Sequence, residues 1–215
     1  MGRQGLSSAR RGVPRWPAAI AIMSIGASYL ALSDYVTFGP RVWMLGLITV
    51  LVLPLLIAQT WGRYRLARRI AFVLLGILTA SLVLRVFFLV ATLSGRGESA
   101  LSVLVDAVLI WVSNVVTFAV WYWEIDGGGP AERTMEAHAS EDFLFPQIDQ
   151  QGGKRAVGWA PSFQDYLYLA FNTSTAYSPT DTPVLSRRAK ILTATQSALS
   201  LVVLLVLVGW AVNTL

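Results

Sequence analysis

Five stretches of this chain are apolar over close to the thickness of a bilayer, and that feature limits the folds open to it. They run from Trp16 to about Leu32, Arg41 to Thr60, Ile70 to about Leu93, Leu101 to Trp123, and about Arg187 to Trp210. A hydrocarbon core needs about 20 helical residues to cross it. Inside it every backbone polar group must be bonded within the protein, which leaves helices or closed barrels. The chain is 55% hydrophobic and 13% charged, where soluble domains carry about 25% charge. The expected fold is an all-α membrane protein with about five transmembrane helices. The net charge of +5 comes from short clusters flanking the apolar runs. That pattern sets membrane orientation and argues against nucleic acid as a partner. The chain has no cysteine, which excludes disulfides, thiolate nucleophiles and cysteine metal sites.

Residues 1–15 carry Arg3, Arg10, Arg11 and Arg15 and read as a basic cytoplasmic tail. The first apolar run is long for a signal peptide and reads as a retained helix. Ser24 and Ser28 stand four apart on it, a spacing suited to close helix packing. Trp43 and Trp61 bracket the second span eighteen residues apart, about 27 Å of helix, which places both at interfaces. Pro54 lies inside this span and predicts a kink. Arg63, Arg65, Arg68 and Arg69 follow as a loop.

The third and fourth spans are joined by a short connection, so they run antiparallel. Measured from it, Arg85 lies about 12 Å deep and Asp106 about 8 Å deep. A charge inside the membrane is costly unless paired or hydrated. An intramembrane Arg85–Asp106 ion pair is therefore expected, either fixing helix packing or serving an ion or proton path. Asn114, at mid-depth, reads as interhelical glue. The fourth span ends in Trp121, Tyr122 and Trp123, which read as an aromatic belt.

From Glu124 to Pro161 the chain turns polar and acidic. Asp126, Gly127, Gly128, Gly129 and Pro130 stop the helix. An apolar patch at Phe143, Leu144 and Phe145 suits a protein partner. His138, the one histidine, stands near Glu136, Glu141 and Asp142 and reads as a solvated loop residue, so no metal site is assigned. The expected organisation is a tail (1–15), a four-helix transmembrane region (16–123), an acidic cytoplasmic loop (124–161), and a re-entrant or interfacial segment with the last span (162–215). With a cytoplasmic N-terminus, fourteen of the seventeen basic residues fall inside: Arg3, Arg10, Arg11, Arg15, Arg63, Arg65, Arg68, Arg69, Arg133, Lys154, Arg155, Arg187, Arg188 and Lys190. The positive-inside rule then puts the C-terminus outside.

The most informative stretch is Ser162 to Lys190. Phe163 to Asn172 is ten residues, about 15 Å of helix and half a bilayer. Ser162 and Asp165 suit a capping box. Thr173, Ser174, Thr175, Tyr177, Ser178, Thr180 and Thr182 follow, with Pro179, Pro183 and Asp181. A half-length helix, polar irregular backbone and a full span form the layout of a re-entrant loop; an interfacial helix with an ordinary connection is the other reading. The last span begins with Thr193, Gln196, Ser197 and Ser200 on one face, which line either an aqueous path or a helix interface.

Two resemblances attach to these residues. D-Y-L-Y-L-A-F from Asp165, S-P-T-D from Ser178, L-S-R-R from Leu185 and A-V-N from Ala211 resemble the C-terminal part of a family of uncharacterised bacterial inner-membrane proteins, a domain of unknown function. The resemblance covers about a quarter of the chain and implies a bacterial inner-membrane location. The order of threonines, tyrosine, aspartate and proline between Tyr168 and Lys190 is similar to the pore loop and inner helix of tetrameric potassium channels. Ala176 and Ser178 stand where that family has its filter glycines, so the filter is degenerate, and the loop enters from the cytoplasmic side, as in ionotropic glutamate receptors.

The chain shows no nucleophile–base set, metal spacing or phosphate loop, so neither an enzyme nor a cofactor is expected. The expected function is that of an oligomeric, pore-loop cation-channel-like protein in the bilayer, for monovalent or divalent cations. Thr173, Thr175, Tyr177, Ser178 and Asp181 would form the constriction, and Thr193, Ser197 and Ser200 the vestibule. The alternative is a non-conducting membrane protein that binds partners through its acidic loop.

Overall fold

The computed structural model describes residues 16–37, 39–92, 99–130, 132–133, 141–149, 154–155, 159–178 and 181–213. The basic tail, His138 with Glu136, and Pro179 with Thr180 lie outside the described residues.

The fold is helical, as the apolar runs require. α1 spans Trp16–Ser28, α2 Arg41–Thr60, α3 Tyr64–Thr92, α4 Ala100–Ile125, α5 Phe163–Thr175 and α6 Arg187–Asn213. Two-residue strands, β1 (Ile148–Asp149) and β2 (Lys154–Arg155), pair antiparallel. Among the described residues four helical stretches are long and apolar enough to cross a membrane: Arg41–Thr60, Tyr64–Ala91, Leu101–Gly128 and Arg187–Val212.

The fifth expected span is shorter than expected. α1 has 13 residues, about 20 Å, and stops at Ser28. There the Leu30 and Ala31 N–H groups turn back to Ala27 and Ser28 carbonyls. The connection then tucks inward, with Leu32 and Val36 fully buried and the Ser33 N–H donating to Asp106 Oδ1 at 3.0 Å. Asp106 draws this backbone down, so α1 has no need to reach the end of α4. The close approach of α1 to α2 is made at Gly26, where a Cβ would stand 2.9 Å from Leu45 Cδ1. Ser24 is exposed instead, and its hydroxyl bonds its own turn at Ala21 O.

α4 is the centre of the molecule, packed against α1, α3, α5 and α6. Its Ile110, Phe118, Ala119, Tyr122 and Trp123 are buried. α2 lies at the periphery on α1 and α3 and turns Trp43, Val50 and Leu53 outward. Outward apolar side chains cost nothing against lipid. α3 begins at Tyr64, six residues earlier than the apolar run suggests, so Arg65, Arg68 and Arg69 ride on helix rather than loop.

α5 and α6 start at the same end of the molecule, beside the C-terminal end of α4. Phe163 packs edge-on against Trp123, and Arg188 Nη2 donates to Ile125 O at 3.3 Å. Both helices therefore run antiparallel to α4. Between them the chain goes in along α5 and comes back out. Its return leg is tied to the loop by Leu144 N–H to Pro183 O (3.0 Å), Leu185 N–H to Asp142 O (2.9 Å) and a bridge between Phe143 and Val184.

Candidate functional site

The in-and-out segment is anchored at its mouth by a buried polar cluster. Asp126 follows α4, where Gly127, Gly128 and Gly129 all take positive φ, a conformation that side-chain-bearing residues resist. That sharp turn aims the Asp126 carboxylate inward. Its Oδ1 accepts the backbone N–H of Asp142 (2.8 Å) and Phe143 (3.3 Å), and its Oδ2 accepts the Tyr166 hydroxyl (2.5 Å). Arg133 stands 4.0 Å from the same carboxylate. It donates to the Tyr166 hydroxyl and, at 2.7 Å, to Trp123 O. Its guanidinium lies 4.8 Å from the Tyr166 ring centroid, within cation–π range. Asp142, fully buried, takes both Nε (2.7 Å) and Nη2 (2.6 Å) of Arg188. That two-point ion pair fixes the loop to the first turn of α6.

Ser162 caps α5 as the sequence suggests. Asp165 Oδ2 accepts the Ser162 N–H at 2.6 Å and its hydroxyl at 2.8 Å. The helix runs three residues beyond Asn172 because the hydroxyls that follow turn back on it. Thr173 Oγ1 donates to Leu169 O (2.8 Å) and Thr175 Oγ1 to Phe171 O (3.0 Å).

Deeper in, a second network joins α4, α5 and α6 around Gln196, which is fully buried. Its Nε2 donates to Ala170 O and to Ser174 Oγ, both at 2.7 Å. Its Oε1 accepts the Tyr122 hydroxyl. Asn114 Nδ2 donates to Gln196 O (3.2 Å) and Ser200 Oγ (2.7 Å), and Ser197 Oγ to Thr173 O (3.2 Å). Gln196 lies six residues past Lys190, about 9 Å along the helix, so α5 ends well inside the span of α6.

The expected constriction and vestibule residues thus separate into two groups. Thr173 and Ser200 are sealed between helices at 0% and 1% exposure, and Thr193 at 8%. Ser197 is half-buried on the same interface. Thr175, Tyr177, Ser178 and Asp181 are exposed at the tip and on the return leg. Tyr177 has a φ of 53°, the left-handed conformation that reverses the chain. Beside the tip, Ser174, Thr175 and Tyr177 border an open groove of about 290 Å³ whose far wall is Trp111, Val203 and Leu207.

Three other expectations are corrected. Arg85 and Asp106 do not pair. The Arg85 guanidinium stacks over the Tyr29 ring at 4.2 Å, its Nε reaches Ser81 O at 3.4 Å, and Asp106 is taken by the Ser33 backbone. The inward fold of the α1–α2 connection, invisible in the apolar pattern, supplies both new partners. Beside Asp106, Tyr35 has its phenol pKa raised, by burial first and then by that carboxylate. The Trp121–Trp123 run is core rather than belt: Trp121 Nε1 donates to Thr79 Oγ1 at 2.9 Å and Tyr122 is fully buried. The patch expected to meet a partner also faces inward, with Phe143 at 0% and Phe145 at 4% exposure, both ring-packed on Tyr166.

Sequence reading did not find the mouth cluster. Its signal is that Asp126 and Arg188 bound two spans at one end of the molecule, where opposite charges can meet. Among the described residues no group of three or more metal-ligating side chains comes together. No family model, curated protein or solved structure matches this chain.

Proposed function

We propose that this integral membrane protein assembles into an oligomer in which the α5 tips face one another across a shared polar path for cations. One observation carries this. Thr175, Tyr177, Ser178 and Asp181 are exposed on a segment that enters beside the spanning helices, next to the outward apolar rings of Tyr168 and Phe171. Irregular polar backbone at membrane depth survives only when covered by protein or lining water. In a single chain that surface opens sideways. A second copy covers it, and the residues left facing the common axis are hydroxyls and one carboxylate.

The constriction then narrows to Thr175, Tyr177, Ser178 and Asp181. Hydroxyl and carbonyl oxygens replace part of an ion's hydration, and Asp181 favours cations over anions. Thr173 and Ser197 join α5 to α6, Ser200 joins α6 to Asn114 of α4 and Thr193 bonds within α6, so these four pack helices instead of lining the path. In this assignment the mouth cluster faces the cytoplasm, as the charge distribution asks, and the membrane is a bacterial inner membrane, as the C-terminal resemblance implies. The alternative, a non-conducting protein acting through its acidic loop, loses support because Phe143 and Phe145 are committed to the core.

Purified protein in planar bilayers tests the proposal. Wild type is expected to carry cation-selective current, with Asp181→Asn lowering cation selectivity and Thr175→Val lowering conductance. A silent wild type, or currents indifferent to both substitutions, would sink it.

A further inference from the structure

We propose that the cleft between the start of α3 and the glycine turn after α4 binds the headgroup of an anionic phospholipid. The cleft is open, about 1030 Å³, and lies between Arg63, Arg65, Arg68, Arg69 and Phe72 on one side and Glu132 on the other. Four guanidinium groups therefore share it with one carboxylate among the described residues. That carboxylate is only loosely engaged, at 3.8 Å from Arg68 Nη1. Arg63, Arg65 and Arg69 form no ion pair with a described residue. Arg68 Nε is shielded from solvent and has no hydrogen-bond partner among the described residues.

The placement is unfavourable for the protein alone. Arg65, Arg68 and Arg69 are spaced i, i+3 and i+4, so they crowd one face of α3, where like charges repel. They also sit at the positive end of the helix dipole, and the first turn has no acidic residue to offset them. An anion in the cleft relieves each of these costs at once.

The surroundings select an amphiphile over a free anion. Phe72 lies beneath the Arg68 guanidinium at 5.4 Å. Leu66 and Val73 on the same helix are 44% and 57% exposed, so the charged cleft continues into a lipid-facing apolar wall. Trp61 and Tyr64, 71% and 42% exposed at its rim, mark the depth where headgroups meet chains. A phosphate diester with attached acyl chains satisfies both halves, in the manner of basic sites at the ends of membrane helices.

The test uses the full chain in nanodiscs of phosphatidylcholine with and without phosphatidylglycerol, reading lipid retained by native mass spectrometry and the thermal unfolding midpoint. Wild type is expected to retain phosphatidylglycerol over phosphatidylcholine and to unfold at higher temperature with it. Arg65→Gln with Arg69→Gln is expected to weaken retention about fivefold per arginine, while the paired lysine variant keeps most of it and Arg187→Gln, at the start of α6, leaves it unchanged. If the double glutamine variant does not fold, Arg69→Gln alone is read against the same outcomes. No preference in wild type, an unchanged preference in the glutamine variant, or an equal loss in Arg187→Gln overturns the proposal. Inorganic phosphate in pure phosphatidylcholine discs reproducing the shift also overturns it, in favour of a free anion.

Discussion

Gln196 shows how one side chain can hold three helices where the hydrophobic effect cannot. Lipid is as apolar as leucine, so helices in a bilayer associate through packing and hydrogen bonds. Gln196 uses both ends of its amide, on the Tyr122 hydroxyl from α4 and on Ala170 O and Ser174 from α5. Gln196→Leu should lower stability by about 1–3 kcal/mol, since each such bond is worth about 0.6–1.5 and buried partners are left unpaired. Tyr122→Phe removes one bond and should cost less. The double variant should cost less than the sum, because the two share an interaction. Equilibrium unfolding in mixed micelles reads all three. A Gln196→Leu protein as stable as wild type would mean the network contributes nothing.

At the scale of elements, turn and packing chemistry divide what can be read from sequence. The bounds of α2 match the apolar run from Arg41 to Thr60 residue for residue, because Pro40 and the Trp61–Gly62 turn punctuate it. The start of α5 is legible from the Ser162–Asp165 cap, but its end is not, because the Thr173 and Thr175 hydroxyls turn back on the helix and carry it past Asn172 to Thr175. The first turns of α3 were not visible, since Arg65, Arg68 and Arg69 look like loop until a cleft gives them a surface. The partners of Arg85 and Asp106 were hidden for a related reason: depth along a helix is readable, but the direction of a side chain around it depends on neighbours. The glycine turn after α4 gives a sharp test. At Gly127, φ is +57° and a Cβ would meet Arg133 Cγ at 2.6 Å. Gly127→Ala should therefore cost at least about 1–2 kcal/mol for the left-handed conformation alone. Gly209 in α6 has open space around it, so Gly209→Ala should be neutral or stabilising by up to about 1 kcal/mol. Thermal unfolding of the two variants side by side checks the contrast; equal effects would show that turn geometry is unimportant.

For the whole molecule, the short α5 leaves the groove beside its tip unfilled by any helix among the described residues. If tips meet across copies, a cysteine at Tyr177 in this cysteine-free chain should give covalent dimers with a short bismaleimide in native membranes. A cysteine at Val50, outward on peripheral α2, should not. Dimers at both positions, or at neither, would argue against tip-to-tip assembly. The hairpin also has a consequence for biogenesis. The Ala170 and Thr173 carbonyls and the Ser174 hydroxyl of α5 find their partners on α6, which the ribosome makes later. A nascent chain that has emerged only as far as Thr175 lacks Gln196, Ser197 and Arg188, and holds α5 only through its contacts with α4 and the glycine turn. The hydrogen bonds that join α5 to α6 therefore form only once the last span has been made. Synthesis of the last span acts as the latch that closes the bundle.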